Sequence, residues 1–400
     1  MKKTHFLLIS LLTLTLHTKA QNKTAEDSLT SNGSNPMTYL GGYGNAFYQY
    51  NSNEESGEVN LERVVMFFGH RFNDKFSFHS EIEIEDAKVS GGEEGGEVAI
   101  EQAYLKFKTS RNSYITAGLF IPRIGIINEN HLPNTFNGNE RPLVERYVIP
   151  STWRELGVGF YSRLNSVPME VSIGVLNGLN SASFEHGRLL RGGRYEGREA
   201  SANNLAFTGS AQYSSNNITF QLSGYAGGSV ASSDAYTDSI GLKSGILGTP
   251  VILGEANIQY SNGGFSLRAL FSMVKIPDAG NINSAYDNNT PESAIGYYAE
   301  IAYDLLHKPG GENVKSLNTF VRYENFNLNS SIPDNGIVDK TLEQEHIIAG
   351  ITYLPIPQIS VKADFRLAST GDANPLLYSP SLPVYEKSNS YFNLGFGFSF

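Results

Sequence analysis

The sequence predicts an all-β chain: a transmembrane antiparallel β-barrel of about sixteen strands, with short turns at one end and long loops at the other. Three observations carry that prediction. Apolar residues recur at every second position through most of the 400 residues, and a strand points alternate side chains to opposite faces. Several of these segments run ten residues or more, the ~9–11 that a tilted strand needs to cross a bilayer; strands in soluble proteins are usually about 5–6. The connections also alternate between short and long, as they do in bacterial outer-membrane barrels.

Composition agrees. Gly (40), Tyr (22) and Phe (23) favour strands and turns. There is no cysteine, hence no disulfide framework and no thiolate metal site. Mean hydropathy is −0.25, and no internal run approaches the ~18 apolar residues of a spanning helix. A barrel escapes that test, because its strands are apolar only on one face. It is also the β-structure that can cross lipid without leaving unpaired edge amides. A formal charge of −10 argues against nucleic acid as a partner.

The N-terminus predicts a secretory signal over residues 1–20. Lys2 and Lys3 precede the apolar stretch "HFLLISLLTLTL", and the small residues Thr18 and Ala20 stand before Gln21. Its removal leaves 27 basic against 40 acidic residues, a net charge of −13. Residues 21–37 are polar and predict a flexible leader, with the barrel over 38–400.

The clearest strands are at 75–86, 169–176, 265–273, 295–304 and 359–367. In the last, Ile359, Val361, Ala363, Phe365 and Leu367 oppose Ser360, Lys362, Asp364 and Arg366. These patterns have period 2, not 3.6. The full prediction is 38–50, 59–70, 75–86, 97–108, 113–121, 153–163, 168–177, 204–214, 217–227, 251–261, 264–275, 293–304, 316–325, 343–354, 358–368 and 391–400. Dipeptides such as "NG" and "GG" mark turns. The long links are 51–58, 87–96, 122–152, 178–203, 228–250, 276–292, 326–342 and 369–390. The even strand number puts both termini on the short-turn, periplasmic side and the long loops outside.

The chain ends "YFNLGFGFSF". Phe392, Leu394, Phe396, Phe398 and Phe400 share one face, predicted to meet lipid or a neighbouring subunit; Gly395 and Gly397 face the lumen. Phe396, Phe398 and Phe400 also resemble the C-terminal signal read by the barrel assembly machinery.

Sixteen strands leave an aqueous channel, where eight would be filled by side chains. The longest connection, 122–152, is too long for a structureless link. Folded inward, it brings Arg123, Arg141, Arg146 and nearby Arg154 to a constriction, where charged groups set selectivity; folded outward, it is a lid with solvated charges. A second basic cluster, Arg188, Arg191, Arg194 and Arg198, fits either a vestibule attracting oxyanions or an exposed loop against lipopolysaccharide or water. The inward faces place Lys75, Glu81, Glu83, Arg268, Glu300, Arg322, Lys362 and Arg366 on the lumen wall.

The segments "ITAGLFIPRIGI", "NERPLVERYVIPSTWRELGVGFYS" and "RGGRYEGREASANNLAFTGSAQY" resemble the phosphate-selective porin O/P family in its Bacteroidetes-type form. The resemblance covers most of residues 40–400 and is motif-like over about 60–215. It implies a trimeric sixteen-stranded porin of the outer membrane, set in lipid and lipopolysaccharide, that passes small hydrophilic solutes or anions such as phosphate. It assigns anion contact to Arg141, Arg146 and Arg154 in the matching loop. A general or mixed-selectivity pore is the alternative within that class.

An enzyme is not expected. No nucleophile motif accompanies His79 or His346, no metal-binding spacing such as H-E-x-x-H appears, and no cofactor is implied. The rival from another class is a non-conducting receptor or adhesin that works through its long loops.

Overall fold

The structure, a computed structural model, describes residues 35–86, 98–184, 186–230, 239–310, 314–377 and 386–400. The predicted signal segment, most of the leader and the whole link 87–96 lie outside the described residues.

Sixteen antiparallel strands close into one barrel. They are β1 (Met37–Asn51), β2 (Ser56–Arg71), β3 (Phe76–Glu85), β4 (Val98–Lys108), β5 (Ser113–Phe120), β6 (Glu155–Arg163), β7 (Met169–Asn177) and β8 (Leu205–Ser215). The second half comprises β9 (Ile218–Gly228), β10 (Pro250–Asn262), β11 (Phe265–Lys275), β12 (Ser293–Asp304), β13 (Ser316–Ser331), β14 (Glu343–Ile356), β15 (Ile359–Thr370) and β16 (Ser388–Ser399). Among the described residues, two short helices interrupt the loops, α1 (Leu143–Tyr147) and α2 (Ala279–Tyr286).

All sixteen predicted strands are present. The largest boundary difference is at β13, which continues past residue 325 to Ser331. The sequence "NFNLNSS" reads there as loop, yet Phe326 and Leu328 stay on the inner face and are buried by packing inside the barrel. β1 and β2 also extend, so their connection is 52–55 and not the long 51–58. Strict short–long alternation therefore fails at the first loop, and again at 305–315, which matches 332–342 in length.

The distribution of polarity is the reverse of a soluble protein's. On β16, Phe392, Leu394 and Phe396 are 44%, 47% and 51% exposed, while Asn393 between them is 1% exposed. On β15, Val361, Phe365 and Leu367 are exposed and Lys362, Asp364 and Arg366 are buried. Large apolar groups outside and charged groups inside are the signature of a barrel set in lipid.

β1 and β16 close the sheet, with Tyr43 opposite Ser399 and Asn45 opposite Gly397. Gly42 N donates to Phe400 O (3.0 Å), and Phe400 N donates to Gly42 O (2.8 Å). A Cβ on Gly42 would sit 2.9 Å from Phe400 Cζ, and one on Gly44 would sit 2.8 Å from Phe398 Cζ. The two glycines thus let the last aromatic rings lie flat over the first strand.

Candidate functional site

The connection between β5 and β6 turns back into the barrel at once. Gly125 takes φ +78°, and a Cβ there would meet Glu145 Oε2 at 2.7 Å. Only glycine fits both demands. Glu145 Oε2 accepts from Ile126 N (2.8 Å) and Ile127 N (2.7 Å), and its Oε1 accepts from Tyr298 OH (2.7 Å). Burial pushes this carboxyl up to about 7, against the hydrogen bonds that favour its ionised form.

The rest of the loop is fastened to the inner face of the far wall. Arg268 donates to Thr135 O (2.9 Å), and Lys362 Nζ donates to Phe136 O (2.9 Å) and Gly138 O (2.8 Å). Arg322 donates to Asn137 O and Glu140 O (both 3.2 Å), while pairing with Glu300 (3.2 Å) and Glu324 (2.8 Å). Asn137 donates to Glu300 (2.9 Å), Asn139 to Asp364 (2.8 Å) and Val144 N to Glu324 (3.0 Å). Arg366 pairs with Glu140. Beside these contacts, Ile124, Val144, Val148, Ile149 and Trp153 of the loop pack with Leu253, Val274, Tyr298 and Phe326 of the wall. An apolar core therefore lies inside the barrel, built around the inward-folded loop.

Among the described residues, cavities lie along the opposite wall, and two of them are rich in basic residues. The one at the long-loop end, about 170 Å³, is lined by six arginines, Arg63, Arg141, Arg154, Arg188, Arg191 and Arg194, against Glu83, Glu85 and Glu196. The one at the short-turn end, about 270 Å³, has seven basic residues in its lining, among them Lys75, Lys106, Arg123 and Arg163, against Asp74 and Glu170.

Some of this charge is paired. Glu196 takes Arg194 (2.7 Å) and Arg154 (3.3 Å), and Glu83 takes Arg63 (3.3 Å). Arg191 donates to Ser151 O (3.0 Å) and Arg141 to His131 O (3.2 Å), contacts with neutral groups. Burial, with Arg194 and Arg146 nearby, lowers Arg191 to about 10. Burial and the charge of Arg63 hold Arg141 below the usual arginine range. Burial is the larger cause of both shifts, and the neighbouring arginines add to it.

The predicted site residues thus separate into groups. Arg141 and Arg154 line the long-loop cavity together with Arg188, Arg191 and Arg194. Arg123 hangs lower, paired with Glu129 (2.5 Å) and Glu170 (3.3 Å), over the short-turn cavity. Arg146 pairs with Glu140 (3.8 Å) and is not in the lining of either cavity; neither is Arg198, which is exposed. Of the wall set, Arg268, Glu300, Arg322, Lys362 and Arg366 contact the inward loop. Glu81 and Glu83 face the cavity side, and Lys75 is exposed in the turn before β3. The sequence does not single out Arg63, and nothing local tells that Glu324 on its strand and Glu145 in the loop are loop anchors and not pore lining.

Comparison with known proteins agrees with the geometry. A family model described as phosphate-selective porin O and P matches residues 37–375. An uncharacterized protein of Aquifex aeolicus (strain VF5) is 32% identical over 339 residues, covering 82% of this chain and 74% of that one. Among solved structures, the anion-selective porin from Comamonas acidovorans aligns with TM-score 0.52 at 10% identity, over 92% of this chain and all of that one. OmpF of Salmonella typhi aligns with TM-score 0.54 at 14% identity, over 92% and 98%. At such identities these two establish the shared barrel alone, while the family match covers nearly the whole chain. With inverted polarity and sixteen closed strands established, the family match over residues 37–375 settles the assignment: the chain belongs to the phosphate-selective porin O and P family and is an outer-membrane porin.

Proposed function

We propose that this porin passes small anions, phosphate among them, along the wall formed by β2–β7. The long-loop cavity is the entrance vestibule and the short-turn cavity the exit. The observation that carries the reading is the six-to-three excess of arginine over glutamate around the vestibule. A net-acidic chain does not oppose it, because Glu300 and Glu324 are consumed in holding the loop. Charged groups at a narrow passage select by sign, and arginine forks match oxyanions.

The test is reversal potential in a planar bilayer under a salt gradient. Wild type should favour anions, and Arg141→Glu with Arg154→Glu should move the potential towards cations. A wild-type channel that favours cations would sink the proposal. Absence of any conductance from refolded barrel would favour a receptor role for the loops.

The same reading includes a homotrimer, an N-terminal segment of residues 1–20 removed on export, and no catalytic activity. The C-terminal Phe396, Phe398 and Phe400 serve as the assembly signal. Deleting Phe400 should lower the yield of folded barrel in the outer membrane; an unchanged yield would refute that role.

A further inference from the structure

The inward loop meets the open wall at one buried cluster that the selectivity argument does not use. An oxygen of Glu81 on β3, an oxygen of Glu101 on β4 and a ring nitrogen of His131 on the loop lie within 4.8 Å of one another. Glu101 is 0% exposed and His131 6% exposed. Glu81 Oε2, Glu101 Oε1 and His131 Nε2 are all buried without a hydrogen-bond partner among the described residues. Two of the outer atoms have contacts: His131 Nδ1 lies 3.1 Å from Asn128 O, and Tyr43 OH donates to Glu101 Oε2 (3.0 Å). A proton on Nδ1, donated to Asn128 O, leaves the Nε2 lone pair facing two carboxylates, an arrangement that burial makes costly.

We propose that this cluster is a binding site for a divalent transition-metal ion of the Zn²⁺ type, stapling the inward loop to the open wall. One imidazole and two carboxylates are a set that such ions accept, with water in the remaining position. The separation between His131 Nε2 and Glu81 Oε2 is 3.6 Å. That is too long for a hydrogen bond. It is close to the about 3.4 Å between ligands of a tetrahedral ion with bonds of about 2.0–2.1 Å. Arg141, whose guanidinium donates to His131 O, weakens cation binding without occupying the site. The three ligands stand 20 and 30 residues apart on separate elements, so no spacing motif announces them.

The location gives the ion a consequence. β3 lines the short-turn cavity at Ser77 and the long-loop cavity at Glu83. Glu81 lies between them on the same inner face, so an ion there would sit between the two cavities. It replaces a net-negative point in an otherwise basic path by a neutral or positive one.

The test uses full-length protein purified in detergent, stripped with EDTA and titrated with Zn²⁺. Wild type should take up one Zn²⁺ per chain, with binding at least tenfold weaker in Glu101→Gln and in His131→Ala. Micromolar Zn²⁺ should change the single-channel conductance of wild type and leave His131→Ala unaffected. A Co²⁺ absorption spectrum of wild type needs no variant, and intense four-coordinate bands are expected. A weak six-coordinate aquo spectrum, no uptake, or uptake unchanged in both variants would overturn the site.

Discussion

The two halves of the barrel interior use similar residues for opposite purposes. On the β11–β15 side, Arg268, Arg322 and Lys362 face the lumen in sequence but spend their donors on backbone carbonyls of the inward loop. On the β2–β7 side, Arg63 and its neighbours from the loops surround open space. Arg322 is 2% exposed. The difference is one of partners: Arg322 lies between carboxylates and the loop's carbonyls, while Arg141 and Arg191 line a cavity among other arginines. The lumen wall of a porin therefore cannot be read as pore lining strand by strand.

The largest blow to this contrast should come from Arg322→Ala. It leaves Glu300 and Glu324 buried without their cation, a loss of about 3–5 kcal/mol for a broken buried pair. The loop should detach at Asn137 and Glu140, so the temperature at which the folded barrel unfolds in detergent should drop and single-channel conductance should rise. Both unchanged would mean the far wall does not hold the loop.

Next in size is a matched pair of neutralisations. Arg141→Gln with Arg191→Gln should cut the anion-to-cation permeability ratio several-fold with little loss of stability. Lys362→Gln should do the reverse, leaving the ratio within about twofold while lowering the unfolding temperature, because its amide cannot replace a charged donor to two carbonyls. Equal effects of both on the ratio would erase the distinction between the walls.

A smaller effect concerns pH. The Glu145 carboxyl is held at about 7 by burial, above its unfolded value. Such a group binds more protons in the folded state, so its contribution is full below the unfolded pKa and is lost as pH rises through about 7. Loop docking, followed by unfolding temperature, should weaken between about pH 5 and 8. Glu145→Gln should flatten that slope, since the Tyr298 hydroxyl can rotate to accept from the amide. Smallest of all, Glu196→Gln frees Arg154 and Arg194 from a partly exposed pair and should raise anion preference slightly.

The fold was legible because lipid and sheet geometry impose a period-2 pattern on each strand independently. Sixteen such signals survive without knowledge of any contact. The ends of β13 and the link 52–55 were not legible, because packing inside the barrel and pairing between β1 and β2 decide them. For the site, the length and charge of 122–152 announced a functional loop and its arginines. Which carboxylates anchor it was hidden: Glu324 and Glu83 look alike on their strands, and only the folded loop distinguishes the anchor from the cavity wall.

The closure of β1 on β16 has a kinetic meaning. Fifteen of the sixteen pairings join strands that are neighbours in sequence, while this one joins residues as far apart as Tyr43 and Ser399. By loop-closure entropy, bringing together ends roughly 350 residues apart costs about 2–3 kcal/mol more than closing a hairpin of about 20. The sheet can therefore grow as a ribbon of local hairpins at low contact order, with one long-range step left at the end. Gly42 and Gly44, bare beneath Phe400 and Phe398, give that last step its landing place.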